Sequence, residues 1–259
     1  MKIGENEIFV TDTGGDKPAL LFVHGIMMDQ SVWEHQVAAF SNTHRVVCVD
    51  LRGFGASTTT STGTTFEDHC DDLLVIVSEL DLKDVTLIGW SMGGAIAQIV
   101  AAQYGERFKQ FVLLDTTPQL IADDNFPHAL PGEAAQQLGG LLMEDFAAGC
   151  GAFCGMIASE NAAVVEKLTA IASATDVGVA MTAFGISGGR NQLAELSQIT
   201  APTTVMCGRN DAICMPAASE MMAQTIPGCS KGVVWIEDAG HAPFLTQPEA
   251  FNAALREIL

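Results

Sequence analysis

Short runs of β-branched and other apolar residues alternate with longer segments of helical character, and this alternation is the strongest constraint on the fold. Strands that alternate with helices favour a mostly parallel, doubly wound sheet with helices on both faces. A further run at residues 8–10 predicts an antiparallel edge strand. The other predicted strands are residues 20–23, 46–49, 85–88, 111–114, 203–206 and 233–236. The predicted covering helices are residues 31–40, 66–80, 92–104, 217–226 and 248–258.

The alternation stops between residues 119 and 200, where no strand-like run occurs and Ala, Gly, Leu and Met are frequent. We interpret this segment as a helical insertion into a core domain formed by residues 1–118 and 201–259. Its acidic residues far outnumber its two cations, Lys167 and Arg190. Such an excess is typical of a solvated outer face, and a cap or lid over a site is the functional alternative.

The charge balance excludes several classes of partner. The chain has 12 Lys and Arg against 31 Asp and Glu, a formal net charge of −19. This charge repels phosphate backbones and acidic lipid headgroups, so we expect no nucleic-acid partner and no membrane attachment. No apolar run approaches the roughly 20 residues that cross a bilayer, and the first ten residues lack the apolar stretch of a signal peptide. We therefore expect a cytoplasmic protein, and the sequence carries no signal for its oligomeric state.

The seven cysteines are odd in number and lack CxxC spacing, which favours reduced thiols in a cytoplasm. Cys150 and Cys154 could share a helix face and bind a metal, but no histidine or second cysteine pair lies near them in sequence. Small apolar packing residues are the simpler interpretation. We expect neither a metal nor an organic cofactor.

The segment Gly89-Trp90-Ser91-Met92-Gly93-Gly94 lies between a predicted strand and a predicted helix. A sharp strand-to-helix turn with small neighbours holds its central serine in strained geometry and exposes the hydroxyl above the sheet. The helix start behind it adds N–H donors. The motif therefore predicts a nucleophile at Ser91, and a helix-capping serine among packing glycines is the alternative.

A serine nucleophile needs a base and an orienting carboxylate. His241 follows the last predicted strand, at the same sheet edge as Ser91, and is the predicted base. Asp211 follows the preceding strand and is the predicted carboxylate, with Asp115, at the end of another strand, as the second candidate. The three residues occur along the chain in the order Ser, Asp, His, which is one of the known orders for such a triad.

Acyl transfer also needs donors for the oxyanion, and backbone amides commonly supply them. The amide of Met92 lies next to Ser91 in the chain. The loop after the strand at 20–23 turns sharply, and the amide of Ile26 is the predicted second donor.

These motifs together resemble those of the α/β-hydrolase family, in its lid-bearing branch of small esterases and lactonases. The resemblance covers nearly the whole chain and implies an α/β-hydrolase fold with a mostly parallel sheet and a helical lid. It implies the same roles for Ser91, Asp211, His241, Ile26 and Met92, and a structural role for the loop that contains Arg52. The segments that carry it are residues 24–25, 50–57, 89–94, 208–211 and 240–241.

The expected function is hydrolysis of small neutral esters or lactones through an acyl-enzyme. Members of this family that act on haloalkanes or epoxides have Asp as the nucleophile in the strand-to-helix turn, where this chain has Ser91. The alternatives are an esterase for methyl esters of acyl carrier protein, perhydrolase or haloperoxidase-type acyl transfer, and a non-enzymatic ligand receptor. Esterases for the carrier resemble this chain at residues 89–91 and 240–244, yet an acidic carrier would favour a basic lid. The residues proposed to line an apolar substrate pocket are Met27, Trp90, Phe126, Met143 and Phe184.

Overall fold

The computed structural model describes residues 1–59 and 64–259 of the chain. Its centre is a seven-stranded sheet of order β3-β5-β4-β6-β7-β8-β9, in which only the pairing of β3 with β5 is antiparallel. A two-stranded antiparallel hairpin of β1 and β2 precedes it. The strands are β1 Lys2–Ile3, β2 Asn6–Glu7, β3 Val10–Asp12, β4 Ala19–Val23, β5 Arg45–Val49, β6 Thr86–Trp90, β7 Gln110–Leu114, β8 Thr203–Gly208 and β9 Val233–Ile236. The mostly parallel sheet expected from the sequence is confirmed.

The inner strands are mostly apolar and are buried because helices cover both faces of the sheet. Every residue of β4 is buried, and so is every residue of β6 and β8. Parallel register places Phe22 of β4 beside Cys48 of β5 and Ile88 of β6. The carboxyl ends of these strands therefore meet at one edge, where the loops that follow them gather.

The helices begin and end at recognisable sequence signals. The helix α2 starts at a capping box, in which Thr65 and Asp68 bond each other's backbone amides, and α9 and α11 each have a proline in the first turn. The helices are α1 Glu34–Phe40, α2 Phe66–Glu79, α3 Met92–Tyr104, α4 Gly132–Glu144, α5 Phe146–Ile157, α6 Ala162–Ser173, α7 Val177–Gly189, α8 Leu193–Leu196, α9 Pro216–Thr225, α10 Pro243–Thr246 and α11 Pro248–Ile258.

Two local features differ from the sequence-based assignment. The helix expected at 31–40 is divided into a 3-10 turn, Gln30–Trp33, and α1. The carboxylate of Asp29 accepts a hydrogen bond from the amide of Ser31 at 2.8 Å, which caps the tighter turn. The antiparallel edge strand is Val10–Asp12, shifted from the expected residues 8–10.

Helices α4 to α8 are inserted between β7 and β8. Apolar side chains of α4, α5 and α6, including Leu142, Cys150 and Leu168, belong to the same buried cluster as the core of the sheet. In the described part of the chain, no single helix is long and apolar enough to span a membrane; α6 and α7 reach that length only as a pair bent by 107°. The boundaries of the insertion at 119 and 200 stay a prediction.

Candidate active site

Ser91 occupies the turn between β6 and α3. Its backbone angles, φ 55° and ψ −117°, lie in a region that residues other than glycine rarely adopt. The amide of Ser91 donates to the carbonyl of Leu114 at 3.0 Å, and the hydroxyl of Thr116 donates to the carbonyl of Ser91 at 2.8 Å. These bonds hold the strained turn in place, as expected of a preorganised site.

The glycines around Ser91 are required by close approach. A Cβ on Gly89 would meet the backbone of Gly93 and Gly94, and a Cβ on Gly93 would meet the carbonyl oxygen of Val23. The helix start therefore lies against the end of β4, which brings the amide of Met92 and the loop that contains Ile26 to the same place.

His241 and Asp211 form a buried pair at the ends of β9 and β8. His241 Nδ1 lies 2.8 Å from Asp211 Oδ2. The other carboxylate oxygen, Oδ1, accepts from the amides of Ile213 at 2.8 Å and Cys214 at 3.0 Å. Burial raises the pKa of Asp211, but the imidazole and the two amides outweigh burial and hold the pKa below its ordinary value. Asp211 is thus an ionised acceptor that fixes the orientation of the imidazole.

The second ring nitrogen of His241, Nε2, is buried and has no hydrogen-bond partner among the described residues. It is therefore not bonded to Ser91 in this conformation; such bonds often form only when substrate is present. Trp90, the neighbour of Ser91, contacts the imidazole with ring centroids 5.6 Å apart. Its indole N–H donates to the carbonyl of His241 at 2.6 Å. This bond connects the loop that contains His241, called here the histidine loop, to the turn that contains Ser91, called here the serine turn.

Asp115, the second candidate for the carboxylate, lies beside Asp211 and does not contact the imidazole through a hydrogen bond. Its Oδ1 accepts from the amide of Gly208 at 2.7 Å, and its Oδ2 is buried without a partner among the described residues. Burial and the neighbouring charge of Asp211 raise the pKa of Asp115 well above its ordinary value. A neutral Asp115 beside an ionised Asp211 is the arrangement these shifts favour.

Glu160, which sequence reasoning did not single out, contacts the histidine loop from the insertion. Its Oε1 accepts from the amide of Gly240 at 2.7 Å. No motif marks this residue, because the contact joins positions 80 apart in sequence. It makes Glu160 a candidate for positioning His241.

Ser91, Ile26 and Met92 line a cavity of about 50 Å³ between the sheet edge and the insertion. Neither the amide of Ile26 nor that of Met92 donates to another backbone group in the described turns, loops and caps. Cys214 also lines the cavity, and its Sγ lies within 4.8 Å of the Asp211 and His241 atoms. The described lining is mostly apolar, and the insertion contributes Leu130, Leu138, Phe153, Met156 and Phe184.

Of the five residues expected to line a substrate pocket, only Phe184 lies in this lining. Met27 and Trp90 are buried in the main core, and Phe126 packs in a small separate cluster. Met143 is on the surface, with 69% of its area exposed. Met27, Trp90 and Phe126 pack in the protein interior, and Met143 lies on the outer side of α4. Residue type alone does not distinguish these positions from a pocket lining.

Within residues 1–59 and 64–259, two groups of buried side chains have potential ligand atoms close enough together to hold a metal ion: Asp211 with Cys214 and His241, and Asp211 with Asp115 and Cys207. Burial raises the pKa of Cys207 and Cys214, so both remain thiols, which are poor ligands compared with thiolates. Cys150 and Cys154 are both buried in α5. The hydrogen bond between His241 and Asp211 accounts for the first group without a metal.

Comparison with known proteins confirms the α/β-hydrolase fold that the sequence predicts. A family model described as the alpha/beta hydrolase fold matches residues 18–248. A pimeloyl-[acyl-carrier protein] methyl ester esterase from Nitrosomonas europaea is 28% identical over 93% of this chain and 95% of its own. A 3-oxoadipate enol-lactonase from Acinetobacter baylyi is 27% identical over 97% of this chain and 92% of its own. A thermophilic esterase from Thermogutta terrifontis, solved with malate bound, is 31% identical, with a TM-score of 0.82 over 98% of this chain and 93% of its own.

Proposed function

Because the chain belongs to the alpha/beta hydrolase fold family, we propose that it is a serine hydrolase that cleaves small carboxylic esters or lactones. Similarity to an esterase that acts on a methyl ester and to an enol-lactonase supports this substrate class. In this proposal Ser91 is the nucleophile, His241 the base and Asp211 the orienting acid. The observation that carries it is the buried His241–Asp211 pair beside the strained turn of Ser91.

The reaction proceeds in two halves. Ser91 Oγ attacks the carbonyl carbon while His241 Nε2 takes the hydroxyl proton, and the imidazolium then returns a proton to the leaving alcohol oxygen. Water repeats the attack on the acyl-enzyme, and the released acid leaves Ser91 protonated again. Asp211 stays ionised throughout, because the hydrogen bonds to its two oxygens stabilise the negative charge. This charge in turn stabilises the adjacent imidazolium of His241.

The amides of Ile26 and Met92 are the proposed donors for the oxyanion. Both residues line the cavity with Ser91, and the helix start at Met92 leaves its N–H without an intrahelical partner. Loss of one such donor typically lowers turnover about 10²- to 10³-fold. Side-chain substitution would not remove either donor.

The proposed lid, residues 119–200, favours a free small molecule over a substrate held by an acidic carrier. Lys167 and Arg190, the cations of this segment, already bond Glu34 at 2.7 Å and Glu67 at 3.0 Å. Both partners belong to the core, so these ion pairs also hold the insertion against it.

The proposal includes a cytoplasmic location, which is supported by seven free cysteines.

The test is ester hydrolysis by wild type and by Ser91→Ala, with Ser197→Ala, an exposed serine outside the cavity lining, as the matched control. Wild type and the control should hydrolyse short p-nitrophenyl and methyl esters or simple lactones, and Ser91→Ala should lose more than 10³-fold in kcat. Retention of more than a few per cent of turnover by Ser91→Ala would exclude the mechanism. Product analysis with added peroxide separates hydrolysis from acyl transfer.

A further inference from the structure

Two residues that line the cavity each have a buried side-chain donor that the described residues leave without a partner. Ser187 lies in the last turn of α7 and Arg190 directly follows that helix, and both residues line the cavity that contains Ser91. The hydroxyl of Ser187 and the Nε of Arg190 are each buried and unbonded among the described residues. A buried donor without an acceptor costs stability, so its presence in a cavity calls for an explanation.

The other polar groups of the lining differ in this respect. The hydroxyls of Thr116 and Thr117 donate to backbone carbonyls at 2.8 and 2.9 Å. The side-chain amide of Gln192 donates to the carbonyl of Ala95 at 2.9 Å. Among the described lining residues, Ser187 and Arg190 are therefore the ones with a buried side-chain N–H or O–H that lacks a partner.

The guanidinium of Arg190 is held in place from its other side. Its Nη1 donates to Glu67 at 3.0 Å, and its Cζ lies 5.1 Å from the centre of the Phe66 ring. Arg190 is the charged residue of the described lining. Glu67 has a side chain that is 60% exposed, so solvent screens its charge and the guanidinium remains a strong donor.

We propose that Ser187 and Arg190 form a polar subsite for a second oxygen acceptor of the substrate, distinct from the carbonyl that Ser91 attacks. The inference rests on the proposed function and narrows it to esters or lactones whose acyl part carries a further carbonyl or carboxylate oxygen. The remaining lining is apolar, so the methylene groups between the two oxygens lie against Phe66, Phe153 and Phe184. A purely hydrocarbon acyl group would leave both donors unpaired.

Three methyl esters of similar size test the subsite, because the small methanol portion forces the acyl group into the cavity. Methyl pentanoate has no second acceptor, methyl 4-oxopentanoate has a neutral one, and monomethyl succinate has a carboxylate. Monomethyl glutarate and adipate extend the series to longer spacings. For each variant, kcat/KM for an acceptor ester is divided by kcat/KM for methyl pentanoate, and this ratio is compared with that of wild type.

Ser187→Ala and Arg190→Met should each lower the ratio about tenfold, since each removes one hydrogen bond made by the acceptor. Ser187→Ala removes a hydroxyl without a protein partner, so it should fold with a Tm at or above that of wild type, and it keeps the test independent of any folding defect in Arg190→Met. Ser197→Ala should leave the ratio unchanged. Loss with the keto ester identifies a neutral acceptor, and loss with the half-esters alone identifies a carboxylate.

An equal effect of both variants on all the esters, or no effect on any, would overturn the subsite and leave the proposed function standing. If wild type hydrolyses none of these esters and no p-nitrophenyl ester or lactone, both proposals fail together.

Discussion

The backbone amide of His241 donates a hydrogen bond to the carbonyl oxygen of Ile157 at 3.0 Å. Ile157 ends α5, so the insertion bonds directly to the loop that carries the proposed base. Together with the contact between Glu160 and Gly240, this gives the histidine loop two adjacent bonds to the insertion. Movement of α5 would therefore move His241.

Glu160→Ala should lower kcat/KM about tenfold, because it frees the amide of Gly240 and lets the His241 loop move relative to Ser91. Glu160→Gln keeps an acceptor oxygen and should retain most activity. Steady-state kinetics on one short ester measures both, and Glu166→Ala, another exposed carboxylate of the insertion, is the matched control.

The prediction for Glu160 also carries a kinetic signature. Loss of base positioning lowers kcat, whereas a loss confined to substrate binding raises KM. Equal activity of Glu160→Ala and Glu166→Ala would show that the contact with Gly240 has no role in positioning.

Substitution of the two neighbouring carboxylates, Asp211 and Asp115, should affect activity to very different extents. Asp211→Asn should lower kcat about 10⁴-fold, since the amide cannot fix the imidazole tautomer or stabilise the imidazolium. Asp115→Asn should stay within a few-fold of wild type, because Asp115 makes no hydrogen bond to His241. Kinetics of both variants at neutral pH decides between them, and the reverse ranking would assign the acid to Asp115.

Asp115 should also leave a mark on the pH dependence of stability. Burial and the charge of Asp211 raise the pKa of Asp115, so the folded state keeps a proton that the unfolded state has lost. The wild-type protein therefore loses stability as pH rises above the ordinary range of an aspartate. Asp115→Asn does not titrate, so its stability relative to wild type should increase from pH 5 to pH 8 in urea unfolding. A constant difference would indicate that Asp115 is ionised at low pH in the folded state.

His69 should make the protein less stable at acidic pH, whereas Asp115 makes it less stable as the pH rises. It is buried in α2, and burial, helped by Arg52, lowers its pKa to about 3. Between about pH 6.5 and that value the unfolded state binds the proton and the folded state does not, so stability falls on acidification by up to about 1.4 kcal/mol per pH unit. His69→Leu should be less acid-sensitive between pH 6.5 and 4.5, and His35→Leu, an exposed histidine, is the control. The same acid slope in His69→Leu and wild type would contradict this.

The main elements of the fold could be predicted because sheet burial and helix periodicity leave strong patterns in sequence. The helices 92–104 and 248–258 have the predicted bounds, and each predicted strand of the parallel sheet is present to within two residues at either end. The hairpin of β1 and β2 could not be found, since two-residue strands are too short for a period. The split before α1 depends on one capping bond from Asp29.

The site was predictable where local chain geometry defines it and not where tertiary packing does. The strained turn at Ser91 follows from its glycines, and the proposed roles of His241 and Asp211 follow from loops at one sheet edge. The cavity lining depends on how the insertion packs, which no local pattern encodes. For this reason residue type alone does not distinguish Phe184, which lies in the cavity lining, from Met143, which is on the surface.

The close approach behind Ser91 yields a last prediction, on stability. In Gly93→Ala the new Cβ would meet the carbonyl oxygens of Val23 and His24, which belong to backbone that cannot move aside without disturbing β4. We expect a loss of about 2–3 kcal/mol in the free energy of unfolding and a large loss of esterase activity. In Gly140→Ala, inside α4, a Cβ meets nothing within 4 Å, and the variant should gain about 0.5–1 kcal/mol from better helix propensity. Urea unfolding measures both, and equal stability of the two variants would contradict the tight packing of the serine turn against β4.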